Sequence, residues 1–480
     1  MATLKQKTIS GLTWSFIDNF ASLGITFIVG IILARLLEPR EFGLVGMTTI
    51  FIAISQSFID SGFTQALIRK QDCTQADFST VFYFNLAVGI LFFLLLSFTA
   101  PLISSFFNEP QLTLIVQVLA IGLIINAFTI VQRARLTKAI NFKLQTKISI
   151  IASILSGLIS IWMAYNGYGV WSLVAKTLTG YTLTSMLLWL WNKWKPTLEF
   201  SKESFKEMFS FGSKLLLSGL LDTTYNNIYL LIIGKFFSAT ELGYYTRADQ
   251  FKSLPSQNIT GVIQRVSYPV LSSIQDDKQQ LKAAYKKLIQ SIMLITFCLM
   301  LAMAASAKPL ILTLIGEKWL PAVIYLQLLC FVGMLYPLHA LNLNMLNVLG
   351  RSDLFLKLEI IKKILAVPVI IIGIYYGIIA LIISMFIISL VSYYLNSYWS
   401  GTLIGYPMKE QIYDILPAFL LAVLISTIIF VTGSLINLPN PWILLIQILT
   451  GTVLFIIISE SVKLQDYLYI KSIVIEKLKR

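Results

Sequence analysis

The 480-residue chain is 57% hydrophobic and only 12% charged, with a formal net charge of +14 and a mean hydropathy of +0.79. Water-soluble domains carry about 25% charged residues, so lipid must be the solvent for much of this chain. The cations sit at segment ends, which excludes nucleic acid as a partner. The single His339 and the scattered Cys73, Cys298 and Cys330 exclude a histidine metal cluster and a disulfide framework, and no cofactor is expected.

Long apolar runs at short intervals predict spanning helices, since a helix satisfies its own backbone in hydrocarbon. Short alternating strands, the mark of a barrel, are absent. Fourteen spans are expected, near 11–34, 42–60, 79–100, 112–131, 147–165, 168–190, 210–233, 241–265, 286–306, 320–341, 355–375, 378–400, 412–433 and 441–460. Each covers roughly 30 Å of hydrocarbon at about 1.5 Å per residue.

Lys5 and Lys7 precede the first span as they would a signal peptide, but Asp18 interrupts the apolar stretch and spans continue to the end. It reads as an uncleaved first span. Ser15, Asp18, Asn19, Ser22 and Thr26 share one of its faces, and Ser218, Asp222, Asn226 and Tyr229 form a comparable stripe in the seventh. An aspartate about two turns inside the membrane in each is a candidate for a coupling-ion or proton site. The alternative is that each carboxylate only bonds to neighbouring helices.

The eighth span is the most polar. Arg247, Gln250, Gln257, Asn258, Gly261, Gln264 and Arg265 lie near one face, and Pro255 falls midway, where a kink is expected. Asp249 and Lys252, three residues apart, are expected to pair. Arg247 has no obvious local partner, so its guanidinium fork is the candidate for a diphosphate head group. A buried pair with Asp18 or Asp222 is the competing reading. Lys176, Arg247 and Lys252 balance Asp18, Asp222 and Asp249, so attraction for an anion must come from local placement or from the rim. Arg133, Arg135, Lys143, Lys214, Arg265, Lys357, Lys362 and Lys363 are rim candidates, each more simply a topology determinant or a contact to anionic membrane lipid. His339, with Asn342 and Asn344 nearby, reads as a packing histidine.

With a cytoplasmic N-terminus, 29 Lys and Arg fall in or beside the cytoplasmic segments. Only Arg35, Arg40, Lys235, Lys308 and Lys318 fall opposite, the bias expected of an inner-membrane protein with both termini in the cytoplasm. Omitting the eighth span would invert every later loop.

The chain also repeats itself. ARLLEPREFGL, starting at Ala34, resembles GKFFSATELGY, starting at Gly234, at an offset of 200. PLISSFFNEPQL from Pro101 matches PLILTLIGEKWL from Pro309, and YGVWSLV from Tyr168 matches YGIIALI from Tyr376, both at 208. Two parallel six-span copies are expected around a central cavity, with two spans appended. The division follows as 1–195, 196–405, 406–460 and a tail over 461–480.

No Walker loop, HExxH or GxSxG motif occurs, and the external loops leave no room for a catalytic domain, so a transporter is expected rather than an enzyme.

Several stretches carry a family resemblance: KQKTISGLTWSFID from Lys5, ILARLLEPREFGLVGM from Ile32, FIDSGFTQALIRK from Phe58, ELGYYTRADQFKSLP from Glu241, QRVSYPVLSSIQDD from Gln264 and LNVLGRSDLFLKLEIIKK from Leu346. The chain resembles, through about residue 400, the polysaccharide-exporter branch of the multidrug/oligosaccharidyl-lipid/polysaccharide flippases. That resemblance implies an all-α polytopic fold of about fourteen helices in two MATE-like lobes. It also implies an ion-driven flippase of undecaprenyl-pyrophosphate-linked oligosaccharide, working by alternating access, with a polysaccharide polymerase or export complex as a further partner. Arg247, in the YxRAD stretch, alone carries over as the head-group contact; Gln250, Lys252, Gln257 and Asn258 are substrate-site candidates from their place on the polar eighth span, and Asp18 and Asp222 remain the coupling-ion candidates. A cation-coupled multidrug or metabolite exporter of the same fold, and a membrane-embedded glycan ligase or polymerase, are the alternatives.

Overall fold

The computed structural model describes residues 4–478, and every regular element among them is helical. Helices α1 (Leu4–Leu36) and α2 (Pro39–Asp60) are followed by the short α3 (Phe63–Arg69). The first copy continues with α4 (Gln75–Phe107), α5 (Leu112–Lys138), α6 (Phe142–Tyr165) and α7 (Val170–Asn192). The second opens with α8 (Lys202–Phe236), α9 (Ala239–Ser273), α10 (Lys278–Ala305) and the short α11 (Ala307–Leu314). It closes with α12 (Ala322–Gly333), α13 (Tyr336–Val348), α14 (Ser352–Tyr376) and α15 (Ile378–Ile404). The last two spans are α16 (Met408–Leu435) and α17 (Asn440–Ser461), and α18 (Gln465–Leu478) forms the tail.

All fourteen expected spans fall on helices, the tenth divided between α12 and α13. Ten segments of the described residues are long and apolar enough to span a membrane by composition alone. The four that fall short are α7, α8, α9 and α14, whose polar and charged side chains lower their hydropathy. The protein is an all-α polytopic membrane protein, and two of its least apolar helices, α8 and α9, carry the candidates Asp222 and Arg247.

The repeat is visible in the helix ends. α1 stops at Leu36 and α2 starts at Pro39; α8 stops at Phe236 and α9 starts at Ala239, the same positions shifted by 200. Both starts are capped three residues apart. The Glu41 carboxylate accepts from the Glu38 N–H at 2.7 Å, and the Glu241 N–H donates to the Ser238 hydroxyl at 3.1 Å. Between α6 and α7, and again between α14 and α15, the turn is made by a glycine at positive φ, Gly169 (55°) and Gly377 (94°).

The starts of α2 and α9 also touch each other reciprocally. A Cβ on Gly43 would fall far inside van der Waals contact with the Ala239 carbonyl oxygen, and one on Gly243 likewise with the carbonyl oxygen of Pro39. Pro39 and Ala239, like Gly43 and Gly243, are repeat equivalents, so the two helix starts cross through a local two-fold exchange of glycine and carbonyl.

By packing, the chain forms two compact units, one ending at Gly243 and the other starting at Tyr244. In the first, α1 packs on α6, α4 on α5, and α8 on α2, α3 and α4. Packing therefore places α8 with the first unit, whereas the repeat counts it as the first helix of the second copy. Phe63, Leu67, Phe82, Trp194 and Met208 form a core at one end of this unit, where the Gln132 amide donates to the Trp194 carbonyl at 3.0 Å.

In the second unit α10 packs along α16. Lys282 pairs with Glu410 at 2.7 Å, Lys286 with Asp414 at 2.8 Å, and the Tyr406 hydroxyl donates to Asp414 at 2.6 Å. The fully buried Gln411 joins this network. Its amide NH₂ donates to the Tyr406 carbonyl at 3.0 Å, and its amide oxygen accepts from Asn342 and from Tyr393, each at 3.4 Å. Replacing it by Leu removes all three of these bonds from a buried network, a cost of about 1–3 kcal/mol. The expected result for Gln411→Leu is a lower melting temperature in detergent, read by loss of the monodisperse chromatographic peak on heating; an unchanged temperature would contradict the hub role.

Candidate functional site

α9 runs unbroken from Ala239 to Ser273 through Pro255 and Pro269. At about 1.5 Å per residue its 35 residues span more than the hydrocarbon core. As expected from their spacing, Lys252 and Asp249 pair, at 2.6 Å. The Lys252 stem lies against Gly333 of α12, where no Cβ could be accommodated, so its ammonium is directed along α9 to the carboxylate. Arg247 does have a local partner, contrary to the expectation: its guanidinium donates to the Gln250 side-chain oxygen, one turn away.

Further along, Ser253 donates to Asp249 at 3.4 Å and the exposed Gln257 donates to Ser253 at 3.4 Å, forming a polar ladder on one face. Asn258 donates to the Leu254 carbonyl at 2.6 Å, and its NH₂ is thereby turned back onto its own helix beside Pro255. Arg247 with Gln250, and Asp249 with Lys252, Ser253 and Gln257, are thus two polar groups on one span. The Arg265 side chain lies outside the described residues.

The two aspartates belong to different helices of the first unit. On α1, Ser22 donates to the Asp18 carboxylate at 3.3 Å, so part of the predicted stripe is bonded together; the Ser15 side chain lies outside the described residues. On α8, Asp222 is exposed, as are Ser218 and Asn226. The neighbouring Thr223 hydroxyl lies 3.2 Å from that of Ser57 on α2, and Gln56 donates to the Tyr181 hydroxyl at 2.7 Å. Sequence reasoning missed Gln56, Ser57, Tyr181 and Thr223; the partners are 125 and 166 residues apart, and no local periodicity signals them.

Four of the rim cations have aromatic or acidic partners. Lys143 lies over the Trp14 ring at 5.6 Å, Arg135 over Trp194 at 5.6 Å, and Lys357 over Trp399 at 5.3 Å, contacts suited to a membrane interface. Lys362 is paired with Glu359. His339 is a packing residue, as expected: its Nε2 lies 2.8 Å from the Ser389 hydroxyl and its Nδ1 3.4 Å from the Asn396 amide nitrogen. An amide NH₂ can only donate, so Nδ1 is the acceptor and Nε2 carries the proton.

Comparison with known proteins agrees with this architecture. Teichuronic acid biosynthesis protein TuaB of Bacillus subtilis (strain 168) is 28% identical over 364 residues, covering 74% of this chain and 74% of that protein. Lipopolysaccharide biosynthesis protein WzxC of Escherichia coli (strain K12) is 26% identical over 379 residues, 77% of this chain and 76% of that one. Among solved structures, lipid II flippase MurJ in its inward closed conformation matches with a TM-score of 0.76 at 14% identity, covering 96% of this chain and all of that one, a likeness of fold. The profile of the family described as polysaccharide biosynthesis protein matches residues 32–324, from the end of α1 through the whole of α9 into α12. With more than half of its length matched, this multi-pass membrane chain belongs to the polysaccharide biosynthesis protein family.

Proposed function

We propose that the protein is a flippase that moves undecaprenyl-pyrophosphate-linked oligosaccharide from the cytoplasmic to the outer leaflet of the bacterial plasma membrane, supplying O-antigen, capsule or exopolysaccharide assembly. One observation supports the reading: α9 is an unbroken helix of 35 residues, long enough to cross a bilayer, and it carries Arg247, Asp249, Gln250, Lys252 and Gln257. Such side chains are costly in hydrocarbon and are kept where a polar cargo passes. Arg247 is the head-group contact, its fork suited to diphosphate oxygens, with Gln250 orienting it and Gln257 offering its amide, and Asn258 its side-chain oxygen, to sugar hydroxyls. Lys252, already held by Asp249, sets the local field. The two six-span copies work as the moving halves, with both termini in the cytoplasm and a polymerase or export complex receiving the product.

Proteoliposomes containing the purified protein and a fluorescent undecaprenyl-pyrophosphate oligosaccharide test this reading. Gradient-dependent movement of the lipid to the far leaflet, with no new glycosidic bond, is expected. No movement, together with drug extrusion by the same vesicles, would instead establish the multidrug-exporter reading.

Asp18 and Asp222 are the coupling-ion candidates. Asn replacement keeps the shape and the bond to Ser22 but removes the ionisable group. Asp18→Asn or Asp222→Asn is expected to reduce the rate gained from an imposed proton or sodium gradient at least threefold; if both variants retain the full response, neither carboxylate couples.

A further inference from the structure

A second polar feature lies wholly in the first unit, at the end that the charge bias assigns to the cytoplasm. α3 leaves α2 through Ser61 and Gly62, both at positive φ (47° and 70°). It seats on α8 at Gly212, where a Cβ would collide with the Ser61 carbonyl and the Phe63 ring. Lys138 of α5 holds its other end, donating to the carbonyls of Leu67 and Lys70. Between the clamped α3 and the first turns of α8 is a cavity of about 480 Å³, within the range of about 300–1,000 Å³ usual for small-ligand sites. Glu207, Ser210, Phe211 and Lys214 line it from α8 at the i, i+3, i+4, i+7 spacing of one helical face, opposite Arg69 and Lys70.

The three cations of the cavity are not equivalent. Lys70 is held by the buried Asp77 at 3.0 Å and by Glu207 at 2.9 Å. The bond to Glu207, the largest influence, raises its pKa above the ordinary value, so it stays charged but is internally neutralised. Arg69 lies over the Phe211 ring at 4.6 Å, and among the described residues no carboxylate pairs with it or with Lys214. Both are exposed. A contact with the Phe211 ring face uses none of the guanidinium N–H donors in a hydrogen bond to a carboxylate, so they are available to phosphate oxygens. On the two flanks of this polar face, α8 exposes Leu215 and Leu217 (39% and 65%). Two free cations with adjoining apolar surface are the complement of a phosphate ester carrying a long hydrocarbon chain.

We propose that this cavity captures the phosphate of a membrane lipid from the cytoplasmic leaflet, with Arg69 and Lys214 binding the phosphate oxygens and Leu215 and Leu217 flanking the chain. Phe211 is a positioning residue that holds the Arg69 plane. The identification of that lipid as the transported carrier rests on the flippase reading; the phosphate-capture site itself does not. A bulk anionic phospholipid has the same headgroup chemistry, and the two sources are separable by experiment.

The test is equilibrium binding to the purified full chain, using undecaprenyl pyrophosphate, phosphatidylglycerol and inorganic pyrophosphate as separate probes, read by native mass spectrometry. We expect the Arg69→Ala/Lys214→Ala variant to bind undecaprenyl pyrophosphate at least tenfold more weakly. Arg69→Lys should recover less than half of that loss, because a point charge cannot reproduce the fork. Inorganic pyrophosphate should bind at least tenfold more weakly than its polyprenyl ester. Selectivity for undecaprenyl pyrophosphate over phosphatidylglycerol assigns the carrier; equal loss for both lipids assigns bulk phospholipid and retains the site. Unchanged lipid binding by the double variant, in protein with the parental elution volume, overturns the proposal, as does equal affinity for free pyrophosphate. Flipping measured on the same wild-type preparation fails independently if the transport reading is wrong.

Discussion

An Arg247→Ala variant is expected to reach the membrane in normal amount and to move lipid-linked oligosaccharide at least tenfold more slowly than the parent. The argument is one of charge and shape. Arg247 donates to the Gln250 side-chain oxygen, and its guanidinium offers the two-pronged donor set that diphosphate oxygens accept. Truncating one member of a desolvated, charge-assisted contact costs about 2–5 kcal/mol, and every 1.4 kcal/mol or so is a factor of ten. Arg247→Lys should fall between, since the ammonium retains charge but loses the two-pronged geometry. Gln250→Ala should lose only a few-fold, because it removes an orienting partner and leaves the charge. Flipping assays on these three variants, each normalised to protein in the membrane, give the ranking. Full activity of Arg247→Ala would remove Arg247 from the site and leave the family reading standing.

The second large effect is expected at the crossing of α2 and α9. Gly43→Ala and Gly243→Ala each place a methyl group on a carbonyl oxygen that backbone geometry cannot move alone, so the two helix starts must separate. Overpacking of this kind costs about 1–3 kcal/mol, and more where backbone has to shift. Because the two contacts are related by a local two-fold exchange, one displacement relieves both. The double variant should therefore be scarcely worse than either single variant, a non-additivity of about the size of one single effect. Thermal stability of the three proteins in detergent measures it. Strict additivity would mean that the two glycines respond to separate strains and that the crossing is not one unit. By contrast, Gly24 and Gly219 have open space around a built Cβ, so alanine there should be harmless.

How much of this was legible without coordinates depends on the range of the forces involved. Span number and order were legible because hydrocarbon imposes a length of about 20 apolar residues on every crossing. The polar eighth span, which hydropathy alone would omit, was recovered from the alternation of loop charge. The Asp249–Lys252 pair was readable because residues three apart on a helix are neighbours whatever surrounds them. The Arg247–Gln250 bond obeys the same rule and was overlooked only because an amide is not a counter-charge. The repeat was readable too, and it extends in the structure to the residue at which helices stop and start.

Tertiary structure alone decided the rest. Nothing local links Ser57 to Thr223, Lys70 to Glu207, or Gln411 to Asn342; each pair is brought together by helices far apart in the chain. Arg69 and Lys70 looked like ordinary topology cations until α3 was seen seated on Gly212 of α8. Gly43 and Gly243 looked like matched letters of a repeat until each was found against the first residue of the other copy's second helix. The physical reason is the same throughout. Solvent chooses the helices one at a time, through properties carried by the segment itself, whereas a partner across the bundle is selected by packing, which depends on every helix at once.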